Sequence, residues 1–113
     1  MLNPNDAYWS HPKMVADYEH GRGKWATNHR LHGVIHEYGH LAHAVSAPAQ
    51  YDGLVGQSLS PDQAVTAAKV STYATTDARE FVAETFTILA LRRRRKLDAD
   101  VLALYKLFGG PTL

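Results

Sequence analysis

His36-Glu37-Tyr38-Gly39-His40 places two imidazoles four residues apart, with a glutamate directly after the first. On an α-helix, residues at that spacing lie one turn apart on the same face. Two neutral ring nitrogens so arranged can share one Zn²⁺ at roughly 2.0–2.1 Å. Glu37 stands about 100° around such a helix from His36. Its carboxylate can reach a water polarised by the metal without binding the metal itself. One helical turn would then hold two ligands, a Lewis acid and a general base. The plain alternative is a surface helix with a histidine stripe, since the chain has seven histidines in 113 residues.

A catalytic zinc normally takes three protein ligands and keeps a fourth position for water, so the chain must supply one more. A metzincin continuation, HExxHxxGxxH, is rejected because His43 and Ser46 occupy the positions of its glycine and last histidine. The remaining common source is a glutamate on a later helix. The four glutamates are Glu19, Glu37, Glu80 and Glu84. The last two are four apart on one predicted helix, in the stretch Tyr73-Ala74-Thr75-Thr76-Asp77-Ala78-Arg79-Glu80-Phe81-Val82-Ala83-Glu84-Thr85-Phe86. Read singly, Glu80 closes a capping box with Asp77 and Glu84 is an exposed helix residue paired with arginines.

Together with HExGH, that stretch resembles the catalytic domain of the anthrax-lethal-factor-like metallopeptidases, a gluzincin group of zincin-like enzymes related to short domains of phage and mobile elements. The resemblance spans roughly residues 28–90, and residues 1–12 are similar to the strand that precedes the site helix. It implies one Zn²⁺ held by His36, His40 and Glu80, with Glu84 orienting a zinc-bound histidine. It further implies Glu37 as general base and Tyr73 as a phenolic donor to the oxyanion. Asp77 departs from the family's usual Asn, adding a negative charge while preserving a good helix cap.

The elements that must position these groups are predicted from pattern and punctuation. Residues 1–11 read as a short extended segment, an edge strand. Pro12 opens a helix with Met14, Val15 and Tyr18 on one side, and Gly21-Arg22-Gly23 breaks it. The site helix is expected over about 29–46, capped by Thr27 or Asn28. Its apolar side is Leu31, Val34, Ile35, Tyr38, Leu41, Ala42 and Val45, and the histidines share the other side. His29, His32 and His43 are expected to line the cleft or lie exposed, not to bind metal, and Gly39 to admit a close neighbour. Residues 48–60 read as a surface loop. Ser60-Pro61-Asp62-Gln63 is a capping-box start for a helix to about Val70, and residues 71–76 read as loop. The Glu80 helix is expected over about 78–96 and a last helix over about 98–108, ending at Gly109-Gly110-Pro111.

These expectations amount to a single domain over 1–113, a minimal zincin-like α+β fold, mostly helical, with a small or vestigial sheet. Net charge is +1, 45% of residues are hydrophobic and 20% charged. That balance fits a soluble globular domain without a basic field for nucleic acid. Absence of cysteine excludes disulfides and thiolate metal sites. The start carries no secretory signal and no window is apolar enough for a membrane span, which fits a cytoplasmic or virion-associated protein. Arg92-Arg93-Arg94-Arg95-Lys96 is read first as cations at a helix C-terminus. A docking patch for nucleic acid or an acidic protein is the weaker alternative. The function expected is zinc-dependent hydrolysis of a peptide or protein substrate. The alternative is a non-catalytic structural or interaction module, part of a larger assembly, in which zinc only clamps two helices.

Overall fold

The computed structural model describes residues 7–92 and 97–113. Among them the secondary structure is entirely helical and no strand is present. The expected α+β fold with a small sheet is therefore corrected to an all-helical one. In the region assigned to an edge strand, Ala7–Ser10 forms a first helical turn, α1; residues 1–6 lie outside the described residues. Tyr8 explains the difference. Its ring is buried over Gly33, where a Cβ would sit 2.7 Å from it. Its hydroxyl donates to the Arg30 carbonyl at 2.6 Å. A tertiary anchor here outweighs the strand preference of an aromatic pair.

The remaining helices follow local chemistry closely. Helix α2 (Pro12–Gly21) begins on a proline whose missing N–H needs no partner, and Ala16 is its buried contact. Met14 and Tyr18, on one side of this helix, are exposed. Helix α3 (His32–Ser46) stops at Ala47, which leaves the helical region (φ −142°, ψ 63°) ahead of Pro48. It starts later than the expected residue 29, with Leu31 at its cap position and no side-chain cap.

The span 48–60, expected to be loop, opens instead with a short helix, α4 (Pro48–Gly53). Helix α5 (Pro61–Ala68) has the reciprocal capping box: Gln63 N–H donates to Ser60 Oγ at 3.2 Å and Ser60 N–H to Gln63 Oε1 at 3.0 Å. Residues 73–75 form a 3₁₀ turn, η1, within the expected loop.

Helix α6 (Ala78–Ala90) is the centre of the molecule, buried from Phe81 through Ile88. Its side chains join those of α5, η1 and the last helix, α7 (Ala99–Leu107), in one core around Phe81, Val82, Phe86, Val101 and Leu104. α6 ends well before the expected residue 96, with Arg92 already in the left-handed region at φ 59°. Residues 93–96, most of the basic run, lie outside the described residues, and the proposed patch with them. α7 stops where Gly109 takes φ +80°, as its Gly-Gly-Pro sequence leads one to expect.

Helices α3 and α6 pack directly against each other, and Gly39 is why they can. A Cβ there would lie 3.0 Å from the Phe86 ring and 3.4 Å from the Ala83 Cα. This close crossing sets the histidines of one helix against the glutamates of the other.

Candidate metal centre

Helix α3 turns its histidine side inward and leaves most of its apolar side in solvent. Its apolar residues Val34, Tyr38, Leu41 and Val45 are exposed, while His32, His36, Gly39 and His43 are buried. The corrected picture has His32 and His43 fully inside, not lining a cleft. A buried imidazole needs partners for both ring nitrogens, and α6 supplies most of them.

Two glutamates one turn apart on α6 meet this histidine face. Asp77 caps the helix by accepting from Glu80 N–H at 2.8 Å. The Glu80 side chain does not return to complete a capping box but turns inward. Its Oε1 lies 2.8 Å from His36 Nε2 and 2.7 Å from His40 Nε2. Glu84 is wholly buried, not an exposed partner of arginines. Its Oε2 accepts from His36 Nδ1 at 2.7 Å and His32 Nε2 at 2.6 Å. Its Oε1 accepts from Ala26 N–H and Ser71 Oγ–H, each at 2.9 Å. Four donors fill the acceptor capacity of one carboxylate.

The charges follow this geometry. Burial opposes ionisation of Glu80, but hydrogen bonds from His36 and His40 prevail and hold it at about 2. Glu84 is held at about 2 in the same way, by His32 and His36 against the effect of burial. His36 is pushed up to about 9: burial favours its neutral form, and the two carboxylates outweigh it. In the absence of metal this is a compact ion-paired cluster straddling two helices.

The donor set fits a divalent cation. One atom each from His36, His40 and Glu80 lie mutually within 4.8 Å, and so do His32, His36 and Glu84. Tetrahedral zinc with bonds near 2.0–2.1 Å places its ligand atoms about 3.3 Å apart. The Glu80 contacts would have to open by only about half an ångström to reach that spacing. The first trio retains some exposure on His40 and Glu80, so a fourth ligand has a way in. The second is sealed, with every Glu84 acceptor already engaged. A buried His/Glu cluster able to hold a metal ion is thus present in the chain. His36 has the carboxylate partner behind its other nitrogen that metal-binding histidines usually have; His40 does not, its buried Nδ1 lacking a hydrogen-bond partner.

Tyr73 sits on this cluster. Its ring stacks on His36, with centroids 5.2 Å apart and planes 3° from parallel. Burial, then the negative charge of Glu80 and Glu37, pushes its phenol up to about 12, so it remains a donor. It is positioned by backbone pairing between residues 23–24 and 72–73, including Tyr73 N–H to the Lys24 carbonyl at 3.1 Å. Glu37 is exposed, and no hydrogen bond or ion pair fixes its carboxylate among the described residues. Its charge is felt at Tyr73.

The structure therefore brings His36, His40, Glu80, Glu84 and Tyr73 together and leaves Glu37 free at the margin. It also adds groups that sequence reasoning passed over. His32 is stacked on Trp25 at 4.5 Å and bonded to Thr27 and Glu84. Its spacing four residues before His36 was the available signal. His43 donates Nε2–H to the Phe108 carbonyl at 2.8 Å, tying down the end of α7, and burial keeps it neutral. No helix among the described residues is long and apolar enough to cross a membrane. No family model, curated protein or solved structure matches the chain.

Proposed function

We propose that this chain is a zinc-dependent metallopeptidase of zincin-like chemistry, holding one Zn²⁺ through His36, His40 and Glu80. The observation that carries the reading is the convergence of His36 Nε2, His40 Nε2 and Glu80 Oε1 from two helices, with a glutamate at position 37 beside them. Two imidazoles and a carboxylate suit zinc. The same donors can serve iron(II), but Glu37 and the Tyr73 phenol are the acid–base equipment of a hydrolase.

Bound zinc supplies Lewis acidity, which makes water a nucleophile near neutral pH and polarises a carbonyl. Glu37, exposed and unattached, takes the proton from the attacking water and delivers it to the leaving amine. Tyr73, protonated across the physiological range, donates a hydrogen bond to the oxyanion of the tetrahedral intermediate. Glu84 keeps His36 from rotating by receiving its Nδ1–H.

The experiment is a peptide-library digest comparing the wild type with Glu37→Gln at equal zinc content. The variant should keep its metal and lose at least about a hundredfold in hydrolysis. Full activity in Glu37→Gln removes the mechanism. No cleavage by zinc-loaded wild type supports the second reading, in which the ion only staples α3 to α6. That reading draws on how deeply the cluster is buried between those two helices.

A further inference from the structure

His32 is a fully buried polar side chain with no part in the proposed hydrolysis. Its environment is built in detail. Trp25 stacks on one face, 4.5 Å away and 15° from parallel. Thr27 Oγ1 stands 2.9 Å from Nδ1, and Glu84 Oε2 stands 2.6 Å from Nε2.

The direction of each hydrogen bond can be worked out from what the partners are able to do. An ionised carboxylate only accepts, so His32 Nε2 and His36 Nδ1 both donate to Glu84. Thr27 Oγ1 accepts from His29 N–H at 3.3 Å, and among the described residues its proton has no acceptor other than His32 Nδ1. Its proton therefore goes to His32 Nδ1. The result is a directed series: His29 N–H to Thr27, Thr27 O–H to His32 Nδ1, His32 Nε2–H to Glu84, and His36 Nδ1–H to Glu84 from the other side. Its effect is to fix the His36 ring so that Nε2 faces Glu80 beside His40.

We propose that His32 is a positioning residue for the metal centre, clamped by Thr27 and Trp25 so that its Nε2–H fixes the Glu84 carboxylate against His36 Nδ1. This inference rests on the reading that His36, His40 and Glu80 hold the ion. Without His32, one Glu84 oxygen loses a donor and the carboxylate can swing away from His36. The ligand then samples orientations in which Nε2 no longer faces the site.

A second metal at His32, His36 and Glu84 is the competing use of the same atoms. It would have to displace donors from a carboxylate that is already saturated. With both sites filled it would also strip the last proton from His36. The directed hydrogen-bond series needs neither.

The test is zinc affinity by chelator competition, with the visible spectrum of the Co²⁺-loaded protein, on the full chain. His32→Leu should weaken zinc binding about 10–100-fold and change the Co²⁺ spectrum. His32→Gln, whose amide N–H extends about as far as Nε2, should recover most of that loss. Thr27→Val, nearly isosteric, should weaken binding by a smaller factor and keep the helical content. Wild-type affinity and spectrum in His32→Leu would overturn the proposal, as would a His32→Gln as poor as His32→Leu. If His32→Leu does not fold, unchanged affinity in Thr27→Val overturns it alone. Two ions per wild-type chain would place a metal where the clamp is proposed. A wild type that binds one ion while no variant differs from it refutes only the clamp. A wild type that binds none refutes the metal centre and the clamp with it.

Discussion

Helix α3 has two faces that exchange their usual places. One carries His32, His36 and His43 into the interior; the other leaves Tyr38 61%, Leu41 59% and Val45 72% exposed. A soluble helix ordinarily buries its aliphatic stripe and wets its polar one. Here the polar face is inside because α6 meets it with two carboxylates, each held ionised at about 2 by the imidazoles that surround it. Burying charge is unfavourable unless it is paired and hydrogen-bonded, and the Glu84 carboxylate with its four donors meets that condition. The apolar face has no comparable partner among the described residues. Chemistry, more than hydrophobic burial, decides which way this helix points.

The sharpest way to break that comparison is to remove the carboxylate on which the buried face depends. Glu84→Ala leaves His32, His36, Ala26 N–H and Ser71 without their shared acceptor. It should cost about 3–5 kcal/mol in urea unfolding of the metal-free protein. A loss below about 1 kcal/mol would mean that the histidine face is held by packing alone.

A pH series sharpens it next. Glu80 and Glu84 are depressed from 4.5 to about 2, so their contribution is complete above about 4.5 and disappears as pH falls towards 2. His36 is raised from 6.5 to about 9, so its contribution is complete below 6.5 and is lost as pH rises through about 9. The metal-free protein should therefore be most stable between about pH 4.5 and 6.5, as followed by thermal melts at each pH. Zinc reverses the alkaline side, because it competes with the His36 proton, and its affinity should climb up to about pH 9. A melting temperature flat from pH 3 to pH 9 would contradict both statements.

Gly39→Ala probes the seam between the faces. Alanine favours a helix by up to about 1 kcal/mol. Against that gain, the added methyl meets the buried Phe86 ring at 3.0 Å. Overpacking of this kind costs about 1–3 kcal/mol, so a net loss near 1 kcal/mol and weaker zinc binding are expected. A more stable variant with unchanged metal affinity would show that the helices have room to part.

The smallest effect belongs to the exposed face. Val45→Glu and Leu41→Lys should each alter stability by no more than about 0.5 kcal/mol. A loss of 2 kcal/mol at either would mean that the stripe is packed after all.

Much of the site could be read from the chain, and the reasons differ residue by residue. The spacing of His36 and His40 and of Glu80 and Glu84 fixes which side chains share a face, and pairs on two helices can then converge. Periodicity separates the faces of α3 but does not say which is inside. His32 lay at the right spacing, yet its importance depends on Trp25, Thr27 and Glu84, which meet it only in three dimensions. The edge strand failed because Tyr8 docks on Gly33, a contact no local propensity encodes. Pro48 carried a genuine helix-start signal that Gly53 and Gly56 obscured.

Anomalous scattering at the zinc edge from crystals of zinc-loaded protein tests the metal centre most directly. A single peak bonded to His36 Nε2, His40 Nε2 and a Glu80 oxygen at roughly 2.0–2.2 Å is expected. No peak at those three atoms, or one enclosed by His32, His36 Nδ1 and Glu84 instead, would contradict it.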